Sequence, residues 1–371
     1  MEDIHMDNGA ASTLKYMDIV NWANIQIASG VFQPGEKLLT EAKLGSKFSC
    51  SRQTVRRALE ILEQNGKVTS IQGSGTYVTE NVALPGQGTD RNKTPSYTIG
   101  TVFAFMDNYI FPNIMKGIEG VFTKKGYAVQ LALTDNSVSK EASALRFMLA
   151  RPLDGLIVEP TRSALPCTNL NFYQTAMERG IPVVFIDSYY PELAIPYVAL
   201  DDARAGYIAT RHLLDMGHRN ISGIFPYSNR QGHLRYQGYV KALTERGIPV
   251  KESHITWYSR ETMNQSLHSP LMLDILTECT AVLCFNDWIA VQIKDVLRKN
   301  NKSIPDDVSV IGIDDSELAR HTGLTSIIHP AWQLGETAAS LLLGKINGNK
   351  VSSVLLPPAL VERSSVKKIV T

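Results

Sequence analysis

From Ile99 onward, short apolar runs alternate with longer amphipathic stretches, and this rhythm limits the fold more than any other feature of the chain. The runs are Ile99–Phe105, Ala128–Leu133, Gly155–Val158, Val183–Ile186, Ile221–Phe225, Ile255–Tyr258, Ala281–Phe285 and Val308–Ile313. Between most of them lie helical patterns such as Ile114–Lys125, Ala142–Ala150, Ala205–Met216, Arg235–Arg246 and Ile289–Asn300. Strands without polar alternation are buried on both faces, so the rhythm predicts an α/β protein of doubly wound parallel sheets under helices. There is no short internal repeat, but two sets of roughly 130 residues each open with a strand after a polar stretch, which suggests two similar lobes.

In open α/β sheets ligands bind beyond the carboxyl ends of the strands. Polar residues stand at those ends here. Glu159 follows Leu156-Ile157-Val158, and Asp187 follows Val184-Phe185-Ile186. Asn286-Asp287 follow Leu283-Cys284-Phe285, and Asp314-Asp315 follow Ile311-Gly312-Ile313. Each alone reads as readily as a helix cap or turn residue. Together they point to one polar cleft between lobes, where carboxylates and amides can read hydroxyl groups and Arg235 adds a fork of donors. Tyr109, Phe111, Trp257 and Tyr258 are the aromatic candidates for stacking on a sugar face.

The chain's 371 residues exceed one ordinary domain, at about 150 residues each. Asn81–Ser96 is rich in Pro, Gly and polar residues and reads as an interdomain linker. The expected organisation is a flexible tail (residues 1–13), a small head (14–80), the linker (81–96) and a two-lobed body (97–371). In the head, Tyr16, Ile19, Val20, Ala23 and Ile27 keep helical spacing, so Leu14–Ser29 is predicted helical, stopped by Gly30 before a Pro34-Gly35 turn. Thr40 can cap a second helix, Glu41–Phe48, which buries Leu44 and Phe48. After Ser49-Cys50-Ser51, a third helix capped by Ser51 runs to about Gln64, with Val55, Leu59 and Leu62 inward and Ala58 and Ile61 beside them, and Gly66 ends it. Lys67–Gln72 and Thr76–Thr79 around Gly73-Ser74-Gly75 read as a hairpin. Two helices joined by a three-residue turn make a helix-turn-helix.

A formal net charge of +1 argues against a nucleic-acid binder, yet residues 43–57 hold Lys43, Lys47, Arg52, Arg56 and Arg57 and no acid. Such a cluster is often only a solvated helix face. Here it lies where a helix-turn-helix presents the start of its second helix to base edges in the major groove. Those residues are Ser51, Arg52, Gln53, Thr54 and Arg56. Arginine pairs bidentately with guanine and glutamine with adenine. The Ser51 and Thr54 hydroxyls, Lys43 and Lys47 suit phosphates. Gly73 and Gly75 either let the hairpin tip approach a sugar-phosphate backbone or form a plain tight turn.

Several classes are excluded. No apolar run reaches the length of a membrane span. Met1–Ser12 has no apolar core of a secretory signal. The four cysteines, Cys50, Cys167, Cys279 and Cys284, form no CxxC pair, so neither a disulfide framework nor a metal site is expected, and a cytoplasmic location is. GxSxG, HExxH and the P-loop lysine are missing. The carboxylate pairs Asp201-Asp202 and Asp314-Asp315 diverge in an extended chain. No enzyme activity and no cofactor are expected.

Tyr16 to Val78 resembles the winged-helix DNA-binding domain of the GntR family of bacterial repressors. The likeness rests on Gly30 with Pro34-Gly35, Leu38, Ser51-Arg52-Gln53-Thr54-Val55-Arg56-Arg57-Ala58-Leu59 and Gln72-Gly73-Ser74-Gly75-Thr76-Tyr77-Val78. Cys50 departs from it, standing where the family more often has an aliphatic residue. The resemblance implies operator contacts by Arg52, Gln53, Thr54 and Arg56, help from Lys15 and Glu41, and entry of Gln72 and Gly73 into the minor groove. About Tyr97 to Lys368 resembles the effector domain of LacI-type repressors and periplasmic sugar-binding proteins. Asp154-Gly155-Leu156-Ile157-Val158, Arg235-Tyr236-Gln237-Gly238-Tyr239 and Ile304-Pro305-Asp306-Asp307-Val308-Ser309-Val310-Ile311-Gly312-Ile313-Asp314-Asp315 carry it. A LacI-type body on a GntR-type head is similar to the L-arabinose-responsive repressors, as are Tyr109-Ile110-Phe111-Pro112, Glu159-Pro160-Thr161 and Ile328-His329-Pro330. That likeness implies sugar contacts at Asp187, Arg235, Asn286 and Asp314, with Tyr109, Glu159, Gln231, Trp257 and His329 around them. His329 reads equally as a buried capping histidine. The implied protein is a homodimeric repressor on a pseudopalindromic double-stranded operator, released by a monosaccharide. Another sugar, a purine effector, or a sugar-binding protein without DNA remain open.

Overall fold

The computed structural model describes residues 9–28, 31–33, 35–64, 67–71, 74–79, 95–106 and 109–369. The chain divides into two compact units, residues 1–91 and 92–371.

In the first unit, α1 (Gly9–Ala28), α2 (Glu41–Phe48) and α3 (Arg52–Gln64) enclose a core of Ile19, Val20, Ala23, Leu38, Leu44, Val55, Ala58, Leu59 and Leu62. Of the positions that helical spacing marks, Tyr16, Ile27, Phe48 and Ile61 are only half-buried and pack against this core from outside. α1 begins at Gly9 rather than Leu14. The segment Gly9-Ala10-Ala11-Ser12-Thr13 has no apolar period, and alanine's intrinsic helix preference extends the helix there. Residues 1–8 of the expected tail, the stops at Gly30 and Gly66, Pro34 of the turn, Gln72 and Gly73 at the hairpin tip, and residues 81–94 of the expected linker lie outside the described residues. Thr40 caps α2 by accepting the Lys43 N–H at 3.4 Å, and Ser51 caps α3 by accepting the Thr54 N–H at 3.2 Å. Ser49 turns the chain in the left-handed region (φ 48°). β1 (Val68–Ile71) and β2 (Gly75–Val78) pair antiparallel, with Val68 opposite Val78.

The second unit opens with β3 (Thr98–Phe103), α4 (Phe111–Phe122), β4 (Ala128–Leu133), α5 (Val138–Leu149), β5 (Gly155–Val158), α6 (Leu170–Glu178), β6 (Val183–Ile186) and β7 (Tyr197–Leu200). The chain then crosses to a second lobe: α7 (Asp202–Asp215), β8 (Ile221–Pro226), α8 (Arg230–Glu245), β9 (Ile255–Tyr258), α9 (Met263–Leu267), α10 (Pro270–Glu278), β10 (Ala281–Cys284), α11 (Asp287–Lys299), β11 (Ser309–Asp314), α12 (Glu317–Thr322) and β12 (Thr325–Ile328). It returns for α13 (Ala331–Ile346) and β13 (Val354–Leu356), then crosses once more to β14 (Leu360–Val361). The sheets run β13-β7-β6-β5-β3-β4 and β14-β12-β11-β10-β8-β9, parallel throughout except for β12–β14. β5, β6, β8, β10 and β11 are buried along their whole length, as strands covered on both faces must be.

Each lobe also contains an unusually close helix crossing. A Cβ on Gly335 of α13 would stand 2.0 Å from the Ile114 carbonyl oxygen of α4. One on Gly206 of α7 would stand 2.1 Å from the Arg235 carbonyl oxygen of α8. The second crossing fixes the height of Arg235 against its lobe. Because the chain changes lobes at 200–202, 328–331 and 356–360, residues at those joints touch both halves of the cleft.

Candidate functional site

The head presents Ser51, Arg52 and Gln53 exposed at the start of α3. Only part of the basic cluster shares that face. Lys47 Nζ lies 5.2 Å from the Trp22 ring centroid, and the Arg57 guanidinium 4.9 Å from that of Tyr16, so both stems lean on α1. Arg56 Nε is 3.3 Å from Glu41 Oε1, an exposed pair that a phosphate can replace at little cost. Thr54 is buried and its hydroxyl is 2.9 Å from that of Ser51, so this pair serves the helix cap first. The face left exposed is Arg52 and Gln53, with Lys43 and an ion-paired Arg56 beside them.

In the body, Arg235 of α8 is 3% exposed. Its Nε donates to Asp202 at 2.7 Å, its Nη1 donates to the Phe285 carbonyl, and Nη2 lies 4.0 Å from Asp314. The guanidinium also covers the Phe285 ring at 4.4 Å. Asp187, just past β6, accepts Gln231 Nε2 at 3.1 Å and pairs with His329 Nε2 at 2.9 Å. The Tyr109 hydroxyl donates to Asp314, and Glu159 accepts the Ala104 N–H at 2.9 Å. Asp187 and Asp314 have φ of 64° and 121°, a left-handed backbone that the surrounding sheet must hold in place.

Several of these bonds cross from lobe to lobe. Tyr109 to Asp314 and Gln231 to Asp187 do so inside the cleft. At its rim, Arg162 meets Glu261 at 3.4 Å and Ser163 accepts the Arg230 N–H at 3.0 Å. The cleft is therefore closed on itself, and a small cavity lies in its first-lobe wall, lined by Phe103, Phe105, Ile110, Phe111, Ile114, Glu159 and Asp187. Among the described residues, Gln231 Oε1 and His329 Nδ1 are buried polar atoms without a hydrogen-bond partner. Such orphans mark positions where a polar ligand gains most, because each unmade bond carries a desolvation cost.

The charges divide cleanly. Burial favours a neutral Asp187, but the hydrogen bond and charge of His329 outweigh it and hold the carboxyl below its ordinary range. Burial likewise opposes a charged His329, and Asp187 overrides it and raises the ring. Burial lifts Asp202 to about 6 against the pull of Arg235. Burial also raises Asp314, again opposed by Arg235. Burial, then the charge of Asp314, keeps the Tyr109 hydroxyl protonated as a donor. This set can bind a neutral, hydroxyl-rich molecule. Acceptors, donors and an apolar ring wall are all present, and among the described residues no group of three or more His, Cys, Asp or Glu side chains could hold a metal.

Comparison with known proteins places both parts. Residues 18–78 match the profile of bacterial regulatory proteins of the gntR family, and residues 210–366 match a periplasmic binding protein-like domain. The chain is 35% identical over 364 residues to an arabinose metabolism transcriptional repressor of Halalkalibacterium halodurans, covering 95% of this chain and 96% of that one. A protein of the same description from Geobacillus stearothermophilus is 35% identical over 366 residues, with the same two coverages of 95% and 96%. The chain belongs to the GntR family of bacterial regulators, in the group with a LacI-type body. A LacI family transcriptional regulator from Enterococcus faecium, solved with bound ribose, is 28% identical, covers 73% of this chain and 99% of its own, and superposes with a TM-score of 0.62.

Within this GntR-family chain, the cleft brings together Tyr109, Glu159, Asp187, Gln231, Arg235, Asp314 and His329. Asn286 stands beside them, but its Oδ1 accepts the Ile289 N–H at 3.0 Å and so caps α11. Trp257 is the expectation that the structure turns away. It packs 5.7 Å from Phe225, 5.2 Å from Tyr236 and 4.9 Å from His233, toward α8. Strand alternation sends its neighbour Tyr258 to the other face, where burial raises the hydroxyl and Arg235 and Asp314 act on it. Asp287 and Asp315 also leave the cleft. Asp287 takes Ser316 Oγ at 2.8 Å and Ser326 Oγ at 2.6 Å, and Asp315 pairs with Arg363 at 2.6 Å. Sequence reasoning missed Asp202 as a site residue, along with Phe103 and Phe105. The adjacent Asp201 caps α7 by accepting the Arg204 N–H at 2.9 Å, which fits the expected divergence of that pair. Lys15 lies within α1, where its side chain is outside the described residues, as are Gln72 and Gly73.

Proposed function

We propose that this chain is a transcriptional repressor of sugar-utilisation genes that leaves its operator when L-arabinose fills the interlobe cleft. The observation that carries this reading is a buried Asp187–Arg235–Asp314 cluster with orphaned polar atoms, in a chain whose other unit is a helix-turn-helix. The arabinose metabolism repressors that the chain resembles over nearly its whole length support the choice of sugar. Two copies bind a pseudopalindromic operator in the cytoplasm, each placing α3 in one major-groove half-site. Arg52 and Gln53 read bases; Lys43 and Arg56 meet phosphates, with Arg56 leaving Glu41 to do so. Glu41, Ser51 and Thr54 position the helix start, and Lys15 and the Gln72-Gly73 wing tip add backbone contacts. The sugar takes hydroxyl contacts from Asp187, Arg235, Asn286, Asp314 and Gln231, with Tyr109, Glu159 and His329 at its edge. Release follows if the closed, sugar-filled body couples unfavourably to DNA binding, and the coupling acts equally in both directions.

A thermal-shift screen of monosaccharides tests the cleft without DNA, because a ligand bound only by the folded state raises the melting temperature by mass action. L-arabinose is expected to stabilise, and to abolish a gel shift of the promoter DNA upstream of the protein's own gene. Stabilisation by D-ribose or a purine instead would replace the effector and leave the regulator reading intact. Promoter DNA that never shifts would remove the regulator reading.

A further inference from the structure

Two acids, Glu159 and Asp187, line the same small cavity, and their surroundings are unequal. Asp187 is served by Gln231 Nε2 and by the His329 ring, both bonds that favour a carboxylate. Among the described residues Glu159 has one donor, the Ala104 N–H on Oε2. Among the described residues, the titratable groups that face Glu159 are Asp187 at the end of β6 and His329 at the lobe crossover. The remaining wall is apolar: Phe103 and Phe105 from the end of β3, and Phe111 and Ile114 from α4. Two carboxylates cannot both stay ionised in such a chamber, and the one with fewer donors keeps the proton.

We propose that Glu159 works in the cleft as a neutral carboxylic acid, with Oε2 accepting the Ala104 N–H and its hydroxyl donating to an oxygen of the bound sugar. This rests on the reading of the cleft as a sugar site. It puts a donor on the cavity wall, where the other lining polar side chain, Asp187, only accepts. A sugar's ring oxygen also only accepts, so it needs a donor from the protein. Burial, then the charge of Asp187, push the Glu159 carboxyl well above the usual carboxylate range, in keeping with that role. Sugar binding thus becomes sensitive to alkaline pH through one side chain.

Calorimetric titration of the full chain with L-arabinose, from about pH 6.5 to about pH 9.5, reads this directly. If only the protonated acid binds, affinity falls about tenfold per pH unit once Glu159 ionises. Glu159→Gln, whose amide donates at every pH, is expected to flatten the profile to within about threefold, whatever its absolute affinity. A flat wild-type profile, or an unchanged slope in Glu159→Gln, overturns the proposal. Carbon-13 labelling of the glutamate carboxyls supplies a readout that needs no sugar. The resonance missing from Glu159→Gln should titrate above pH 7 in the free wild-type protein, and titration in the ordinary carboxylate range overturns the proposal. If L-arabinose binds at no pH while that resonance titrates high, the sugar reading fails and the proton assignment stands.

Discussion

Replacing Arg235 with methionine isolates the charge at the centre of the cleft, because methionine keeps much of the stem's volume and removes only the cation. The guanidinium lies 2.7 Å from Asp202 and 4.0 Å from Asp314, and all three side chains are almost fully buried. A unit pair at 4 Å is worth about 4 kcal/mol gross at an effective dielectric near 20, most of it offset by desolvation of both ions. Without the cation the desolvation cost remains and the attraction does not, so Arg235→Met should lose about 3–5 kcal/mol. At about 2–4 °C per kcal/mol, the body should melt about 6–20 °C lower. Removing Asp202 as well, in Arg235→Met/Asp202→Leu, should restore part of that loss, since one uncompensated carboxylate has gone. The assay is the melting temperature of the wild type, both single variants and the double variant, closed as a double-mutant cycle. Sugar-induced stabilisation should vanish in every variant lacking Arg235, and operator binding should persist at temperatures where the fold is intact. Strict additivity of the two substitutions, or a shift below about 3 °C for Arg235→Met, would refute the claim that Arg235 neutralises two buried acids.

Three further outcomes follow from other parts of the molecule. Arg52→Ala should weaken operator binding at least tenfold, a loss of about 1.4 kcal/mol or more, while L-arabinose still raises the melting temperature; loss of both together would break the division of labour between the units. Gly335→Ala places a Cβ 2.0 Å from the Ile114 carbonyl oxygen, so α4 and α13 must separate, and a denaturant titration should show a loss of about 2 kcal/mol or more. The His329–Asp187 pair carries a defined pH window. The raised His329 contributes stability in full below its unfolded value near 6.5 and loses it as pH rises through the higher folded value. The depressed Asp187 contributes above its unfolded value near 4 and loses it as pH falls. The melting difference between wild type and His329→Gln should therefore be largest near pH 5–6 and shrink by about pH 9; an equal difference at both would show that the pair is not ionic.

Much of the fold was legible because it depends on local periodicity. Leu44, Val55, Leu59 and Leu62 are buried as their spacing requires, and β4, β5, β6 and β9 occupy the expected residues. The strands β7, β12, β13 and β14, of two to four residues, escaped, and α13 escaped because its start follows a proline rather than a recognisable cap. Of the cleft, Asp187, Arg235 and Asp314 were visible as polar residues next to apolar strands or in a familiar motif. Trp257 and Tyr258 were both candidates, and strand alternation lets only Tyr258 face Arg235 and Asp314. Asp202 had no local signal, since its role depends on Arg235, thirty-three positions on.

By itself, then, the sequence determined two units of different kind, a basic helix start on the first, and parallel sheets with acids at the strand ends of the second. These depend on the order of nearby side chains, and helical and strand periods are properties of a few consecutive residues. Only the tertiary structure decided which charges are partners. It drew Lys47 and Arg57 back onto α1 and paired Arg56 with Glu41. It turned Asp287 and Asp315 out of the cleft, and it brought Asp202 and His329 in where the chain changes lobes. The reason is that electrostatic pairing is set by distance and burial, and both are settled by how the three crossovers fold one lobe against the other.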